Sequence, residues 1–533
     1  AFYAEQTLGQ LADERGGLPV GTVEDWPDLA VRGVMLDVSR TKVPTLETLF
    51  ALVDRLASWK VNQVQLYMEH TFAYPGHEEV WRAADPYDAA DLTALADHCA
   101  ARHVELVANQ NCLGHMERWL LHDRYAPLGI ARGVVRGPMG MALPPSTIDP
   151  ANPASFGLVE ELLDTLTGVL PGGRLHVGLD EPWDLPTNRY AEWGEWARRL
   201  RSLPATAGRD LLVWGDMLAA HPDLLRGLPE GVTVCEWGYE ANHPFGPRLE
   251  AIAEAGLPRW VSPGTSSWLS VVGRVTNAVD NCRAAAGAAA GHGAEGLLVT
   301  DWGDMGHLQH LPVSDPGLAA AAAFGWCLSS NAGLGPAELA PLLDRHCYGD
   351  PSGALGEAVV ALGDLHTLQP LEVPNISALV LHLYFPQLPV GPAMGSDVSS
   401  VHLEAVEAAR DGAGETLRRA RPTTDHGRLA VEDLLASAEL VRLCLADAGA
   451  RLEGDGTLLS VPTPVRAALA DRLGGVVEAH RHRWLARNRP GGLDESCAWL
   501  DHLGRSYRDG AAALDWAGPL VEAVRARDRD RAS

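Results

Sequence analysis

Residues 32–40 read Arg-Gly-Val-Met-Leu-Asp-Val-Ser-Arg, an apolar run over Gly33–Ser39 that carries a carboxylate, Asp37, and ends at a guanidinium, Arg40. A near-continuous apolar run of this length reads as a strand buried on both faces, the situation of a parallel sheet covered by helices. The residues after this strand decide the kind of sheet. A doubly wound open sheet wants a glycine-rich phosphate turn after its first strand; none appears before the helical pattern Thr45–Trp59. The alternation then repeats. Further strand candidates are Gln63–Met68, Val104–Gln110, Leu175–Asp180, Leu211–Asp216, Thr233–Gly238, Trp260–Gly264 and Leu297–Trp302, with helical stretches such as Ala89–Arg102 between them. Eight βα units in roughly 280 residues is the arithmetic of a (β/α)8 TIM barrel.

Beyond about residue 345 the strand signals stop. Ser399–Ala420, Arg428–Ala450, Pro464–Asn488 and Leu493–Arg525 have helical spacing and are separated by breaks such as PTTDHG, EGDGT and RPGG. The expected architecture is therefore α/β: a catalytic (β/α)8 barrel over 21–345, then a mostly α-helical C-terminal domain over 346–533. Residues 1–20 form a short helix and a Gly/Pro-marked linker. The stretch His482–Leu493 carries Arg487, Asn488 and Arg489 before a Pro-Gly-Gly break, which suits a helix terminus with cations complementing its dipole, or else a dimer contact or the barrel mouth.

Composition narrows the function. Against 69 acidic residues stand 43 basic ones, a net charge of −26, which disfavours nucleic acid and anionic membrane surfaces as partners. No apolar run approaches the roughly 20 residues needed to span a bilayer. Eight scattered cysteines without a CxxC read as buried single thiols and favour a cytoplasmic setting, although a chain beginning at Ala1 says little about export.

In a TIM barrel the chemistry sits at the C-terminal ends of the strands. Those ends carry Asp37 and Arg40, Glu69, Asn109 and Asn111, Asp180 and Glu181, Trp214 and Asp216, Glu236 with Trp237 and Tyr239, and Asp301 with Trp302 and Asp304. Carboxylates and indoles recur together, and 16 Trp against 7 Phe is an unusual ratio. That pairing suits a sugar, whose C–H face stacks on an indole while acids bind its hydroxyls. The sharpest local signal is Leu175-His176-Val177-Gly178-Leu179-Asp180-Glu181, a strand ending in adjacent acids followed by Pro182 and Trp183. Adjacent strand residues face opposite ways, so both acids reach one site only where the strand breaks, and Pro182 enforces a break.

At this point the chain resembles glycoside hydrolase family 20, the β-N-acetylhexosaminidases. LHVGLDE is similar to that family's H-x-G-G-D-E, with Leu179 in place of the second glycine. RGVMLDVSR is similar to its first strand, and Cys112-Leu113-Gly114-His115-Met116 to the P-G-H segment after the third. The opening FYAEQTLGQL resembles the last helix of the small α/β domain that precedes the barrel in this family. The F-x-Y after Glu69, the GHME and the helical C-terminal region resemble the hexosaminidase D branch most. The resemblance implies an exo-acting retaining enzyme that removes terminal GlcNAc or GalNAc by substrate-assisted catalysis, with no cofactor and no metal. Glu181 would be the general acid and base, and Asp180 the carboxylate that steadies the acetamido group. Arg32, Glu69, His115, His176, Trp214, Trp237, Tyr239, Trp302 and Asp304 would bind substrate; Arg32 has a second reading as a partner for Asp37, and Asp304 as a helix cap. Tyr239 is offered as the substitute for a tyrosine that many members place after the seventh strand, where this chain reads SPGTSSWLS. The expected partners are an N-acetylhexosamine-terminated glycan and a second copy in a homodimer. Two alternatives stay open: a non-catalytic glycan-binding relative, and a metal-dependent TIM-barrel hydrolase using Asp37, His115, His176 and Asp180.

Overall fold

The computed structural model describes residues 1–12, 16–137, 141–514 and 517–532. Its centre is a closed barrel of eight parallel strands: β1 (Val31–Asp37), β2 (Gln63–Tyr67), β3 (Glu105–Asn109), β4 (Arg174–His176), β5 (Asp210–Trp214), β6 (Val232–Trp237), β7 (Arg259–Ser262) and β8 (Gly296–Asp301). β1 closes the ring by pairing with both β2 and β8; Asp37 faces Tyr67 across one seam and Leu36 faces Asp301 across the other. All seven residues of β1 and all six of β8 are buried, as the apolar runs require.

The helices outside the barrel are set by local chemistry. Thr45 caps helix Leu46–Ser58 by accepting the Thr48 N–H, and Asp88 with Asp91 forms a capping box on helix Ala89–Ala100. The Ala-rich stretch ends helix Val275–His292, and Gly293 closes it at φ 64°. After the barrel the chain passes through helix Pro336–Leu343 and a π turn, Asp344–Tyr348, into helices Ser400–Arg419, Asp425–Leu452, Thr463–Leu485, Leu493–Asp509 and Pro519–Ala532. One long helix over Leu493–Arg525 does not form, because the backbone turns at Gly510, φ 62°.

Residues 487–489 join the two parts of the chain. The Arg487 carbonyl accepts the Thr45 N–H at 2.9 Å, the Arg489 N–H donates to the Val43 carbonyl at 2.8 Å, and the Arg487 guanidinium meets buried Asp433 at 2.8 Å. This stretch is therefore held inside the chain, against the loop after β1. Helix Phe2–Leu11 packs at the opposite end, where Gln10 donates to the Ser58 carbonyl and the Tyr3 ring meets Trp326. All eight cysteines are unpaired, seven of them buried. Among the described residues no helix is long and apolar enough to cross a membrane.

Candidate active site

β4 stops at His176, so the two acids stand in the segment beyond it rather than on the strand. That segment is unusual: Gly178, Leu179 and Glu181 all have positive φ, at 70°, 70° and 45°. The double reversal lets consecutive carboxylates reach one side. A Cβ on Gly178 would lie 2.6 Å from the Asn111 side chain, and one on Gly114 would lie 2.5 Å from the Asp180 carbonyl, so both glycines are required by close approach. Leu179 is a costlier departure than its position beyond a strand end suggests, since a non-glycine residue in the left-handed region costs ~1–2 kcal/mol. Its full burial and the Trp193 indole N–H on its carbonyl, at 2.8 Å, hold it there.

Asp180 is buried. The Asn111 side-chain amide donates to its Oδ1 at 2.7 Å, and His115 Nε2 lies 3.2 Å from its Oδ2. Burial alone would raise its proton affinity, but His115 and the Asn111 bond outweigh it and hold the carboxyl below its ordinary range. His115 responds in the opposite sense: burial is overcome by Asp180, which carries the imidazole up to about 10. Glu181 differs from its neighbour. Burial, reinforced by Asp180, Asp216 and Asp304 against the opposing pull of His115, pushes its carboxyl up to about 8. The Asp216 carboxylate accepts the Glu181 backbone N–H at 3.0 Å and so pins the left-handed residue. Burial and the nearby Asp180 raise Asp216 itself to about 7.

Around the pair stand rings and a cation. The Trp302 indole N–H donates to the Tyr239 hydroxyl at 2.8 Å, Trp302 meets Tyr67 edge-on at 4.8 Å, and Trp237 stacks on Tyr239 at 5.1 Å. Arg40 sits over the Tyr67 and Trp302 rings, 5.0 Å from each centroid. Its guanidinium lies 3.3 Å from Asp37, 3.6 Å from Glu69 and 3.8 Å from Asp304. Burial raises Glu69 to about 7 in spite of Arg40, and the Tyr67 hydroxyl donates to it at 3.0 Å.

Eight of the nine substrate-binding candidates lie at this end of the barrel: Glu69, His115, His176, Trp214, Trp237, Tyr239, Trp302 and Asp304. His176 and Trp214 lie beneath the others, fully buried with rings 4.3 Å apart, and the Gly178 N–H donates to His176 Nδ1. Burial lowers His176 to about 3, so its ring is neutral. Arg32 is elsewhere. It stands five residues before Asp37 on the same strand, about 16 Å away at the rise of a β-strand. Its guanidinium donates to the Lys60 and Leu29 carbonyls and to the Tyr3 hydroxyl, at 2.9, 2.7 and 3.0 Å, and it therefore reaches neither the acid pair nor Asp37. Arg40, just past the end of the strand, is the cation of the mouth. After β7, Thr265 and Ser267 donate to buried Asp301 at 2.6 Å each, and the phenol of the mouth comes from Tyr239 after β6.

The catalytic-domain profile of glycosyl hydrolase family 20 matches residues 30–290. This barrel belongs to family 20. A beta-N-acetylhexosaminidase of Cellulomonas fimi is 26% identical over 282 residues, 50% of this chain and 53% of that protein. The chain thus spans about half the length of that relative. Hexosaminidase D of Bos taurus is 26% identical over 313 residues, covering 52% of this chain and 86% of that one. Among solved structures, a family 20 beta-N-acetylglucosaminidase superposes with a TM-score of 0.50 at 22% identity over 61% of this chain and 76% of its own. A family 20 beta-N-acetylhexosaminidase from Streptomyces coelicolor A3(2) gives 0.50 at 21%, over 68% and 77%. At such identities the structural likeness speaks to the fold.

Four residues of the site, Arg40, Tyr67, Asn111 and Asp216, are given no role by the sequence alone. Each stands at a strand end, which is the signal that could have found them. Which of several polar residues at one strand end turns inward is settled by loop geometry.

Proposed function

We propose that this chain is an exo-acting retaining β-N-acetylhexosaminidase that works through the substrate's own acetamido group. The observation that carries the reading is the opposed proton affinity of two consecutive acids: Asp180 held ionised by Asn111 and His115, Glu181 held protonated up to about 8. Glu181 would donate its proton to the glycosidic oxygen as the C–O bond breaks. The acetamido carbonyl oxygen would form the new bond at the anomeric carbon. Asp180 would accept the acetamido N–H and stabilise the oxazolinium charge. Glu181, now a carboxylate, would take a proton from the water that reopens the ring, restoring the starting state with retained configuration. The rings of Trp302, Trp237 and Tyr239 suit the apolar face of a pyranose, and Arg40, Glu69 and Asp304 suit its hydroxyls. Family 20 is an exception to the scheme in which an enzyme carboxylate is the nucleophile.

The test is a panel of β-glycosides of GlcNAc, GalNAc and their non-acetylated counterparts, with the product anomer read by NMR. The expected result is hydrolysis confined to the acetamido sugars, a β-configured first product, and inhibition by a thiazoline mimic of the intermediate. Equal hydrolysis of the non-acetylated sugars, or a glycosyl group trapped on either carboxylate, would overturn the mechanism.

A further inference from the structure

We propose that Trp183 is the stacking platform of an aglycone subsite, where the sugar beyond the scissile bond lies against its indole. The proposal rests on the hydrolase reading above and extends it to the other side of the bond. Among the described tryptophans only Trp26 and Trp183 are left largely in water, at 66% and 44% exposure. Trp26 belongs to the opposite end of the barrel, beside Asp25, which pairs with Lys60. Trp183 stands two residues after Glu181, and its backbone N–H donates to the Glu181 carbonyl at 2.7 Å.

The turn that presents it is fixed. The Asp184 carboxylate accepts the N–H groups of Ser146 and Thr147, at 2.8 and 3.0 Å, and the Leu185 N–H donates to the Pro182 carbonyl at 2.9 Å while its side chain is buried. An indole exposed on a pinned turn is ready to bind without ordering cost. Direction follows from the acid pair. The Asp180 side chain is 9% exposed and that of Glu181 30%, so the pair opens to solvent on the Glu181 side. In the proposed subsite the glycosidic oxygen meets Glu181, and the leaving sugar lies over the 182–185 turn that follows it in the chain. An indole face there recognises the C–H face of a pyranose and is indifferent to the linkage hydroxyls around it.

The experiment compares wild type, Trp183→Ala and Trp183→Phe on a β-linked N-acetylhexosamine disaccharide and on the corresponding methyl glycoside. The kcat/KM of Trp183→Ala on the disaccharide is expected to fall about tenfold further than on the methyl glycoside, which is about 1.4 kcal/mol of lost binding, with Phe restoring most of it. Direct binding of the disaccharide to Glu181→Gln should weaken by a similar factor on adding Trp183→Ala. Equal losses on both substrates, or no loss on either, would overturn the subsite while leaving the hydrolase reading intact. A wild-type protein inactive on both substrates would overturn the two together.

Discussion

Two arginines on one strand have opposite fates. Arg32, at the start of β1, is satisfied by backbone carbonyls and a phenol, packed between Tyr3 and Trp326, with no carboxylate among its partners in the described residues. Arg40, just past the end of the same strand, is surrounded by Asp37, Glu69 and Asp304 and lies 3.4 Å from His115 Nδ1. The amino-acid type and the flanking strand are the same; the end of the barrel differs. At the N-terminal end, neutral oxygens and rings tie helix Phe2–Leu11 to the barrel. At the C-terminal end, acids outnumber the cations among them and are concentrated where a reaction can use them, as parallel barrels generally arrange.

The acid pair offers the harshest test of that division. Glu181→Gln should cut hydrolysis of sugar and alkyl aglycones by ~10²–10⁴-fold and hurt far less with a leaving group that departs unprotonated. Asp180→Asn should damage both substrate classes, and should weaken a thiazoline mimic more than Glu181→Gln does. Steady-state kinetics over a series of leaving groups separates the two.

The arginines themselves come next. Arg40→Ala should lower kcat/KM about 10²-fold, near 3 kcal/mol of transition-state binding. Arg32→Ala should leave kcat/KM unchanged and lower unfolding stability by about 3 kcal/mol, since its charged donors serve several buried carbonyls. Denaturant titration beside kinetics reads both, and a crossed result would break the comparison.

A finer effect concerns protonation. Because the proposed mechanism requires Glu181 to carry its proton, kcat/KM should fall as pH rises through about 8. Asp216→Asn keeps an acceptor for the Glu181 N–H while removing a negative neighbour, so Glu181 loses its proton more readily and the alkaline limb should move to lower pH, by under about one unit. A pH–rate profile of the pair of proteins measures the shift. An upward displacement would mean that Asp216 acts through geometry rather than charge.

The smallest change in activity is expected at Leu179→Gly. It relieves ~1–2 kcal/mol of left-handed strain but empties a fully buried site, for which losses of about 2–5 kcal/mol are usual. A net destabilisation of about 1–3 kcal/mol, read by thermal or denaturant unfolding, would show that packing outweighs backbone strain at this position.

The barrel was legible in the chain because its evidence is local. A strand buried on both faces must be apolar throughout, so VMLDV and GLLVTD announce themselves, and the missing phosphate turn after β1 removes the competing sheet. The helical C-terminal region is legible for the same reason, although Gly510 turned the chain where a continuous helix read naturally. The acids at 180–181 were legible as a pair, because an apolar strand pattern runs directly into two carboxylates, a proline and a tryptophan. What the linear pattern does not contain is direction. Arg32 and Arg40 are both arginines beside one strand, and only the closure of the barrel decides which reaches the mouth. The opposed proton affinities of Asp180 and Glu181 are likewise tertiary. Asn111 and His115 arrive from the segment after β3 and Asp216 from the segment after β5, and a proton's affinity depends on the charges and burial around it rather than on its sequence neighbours.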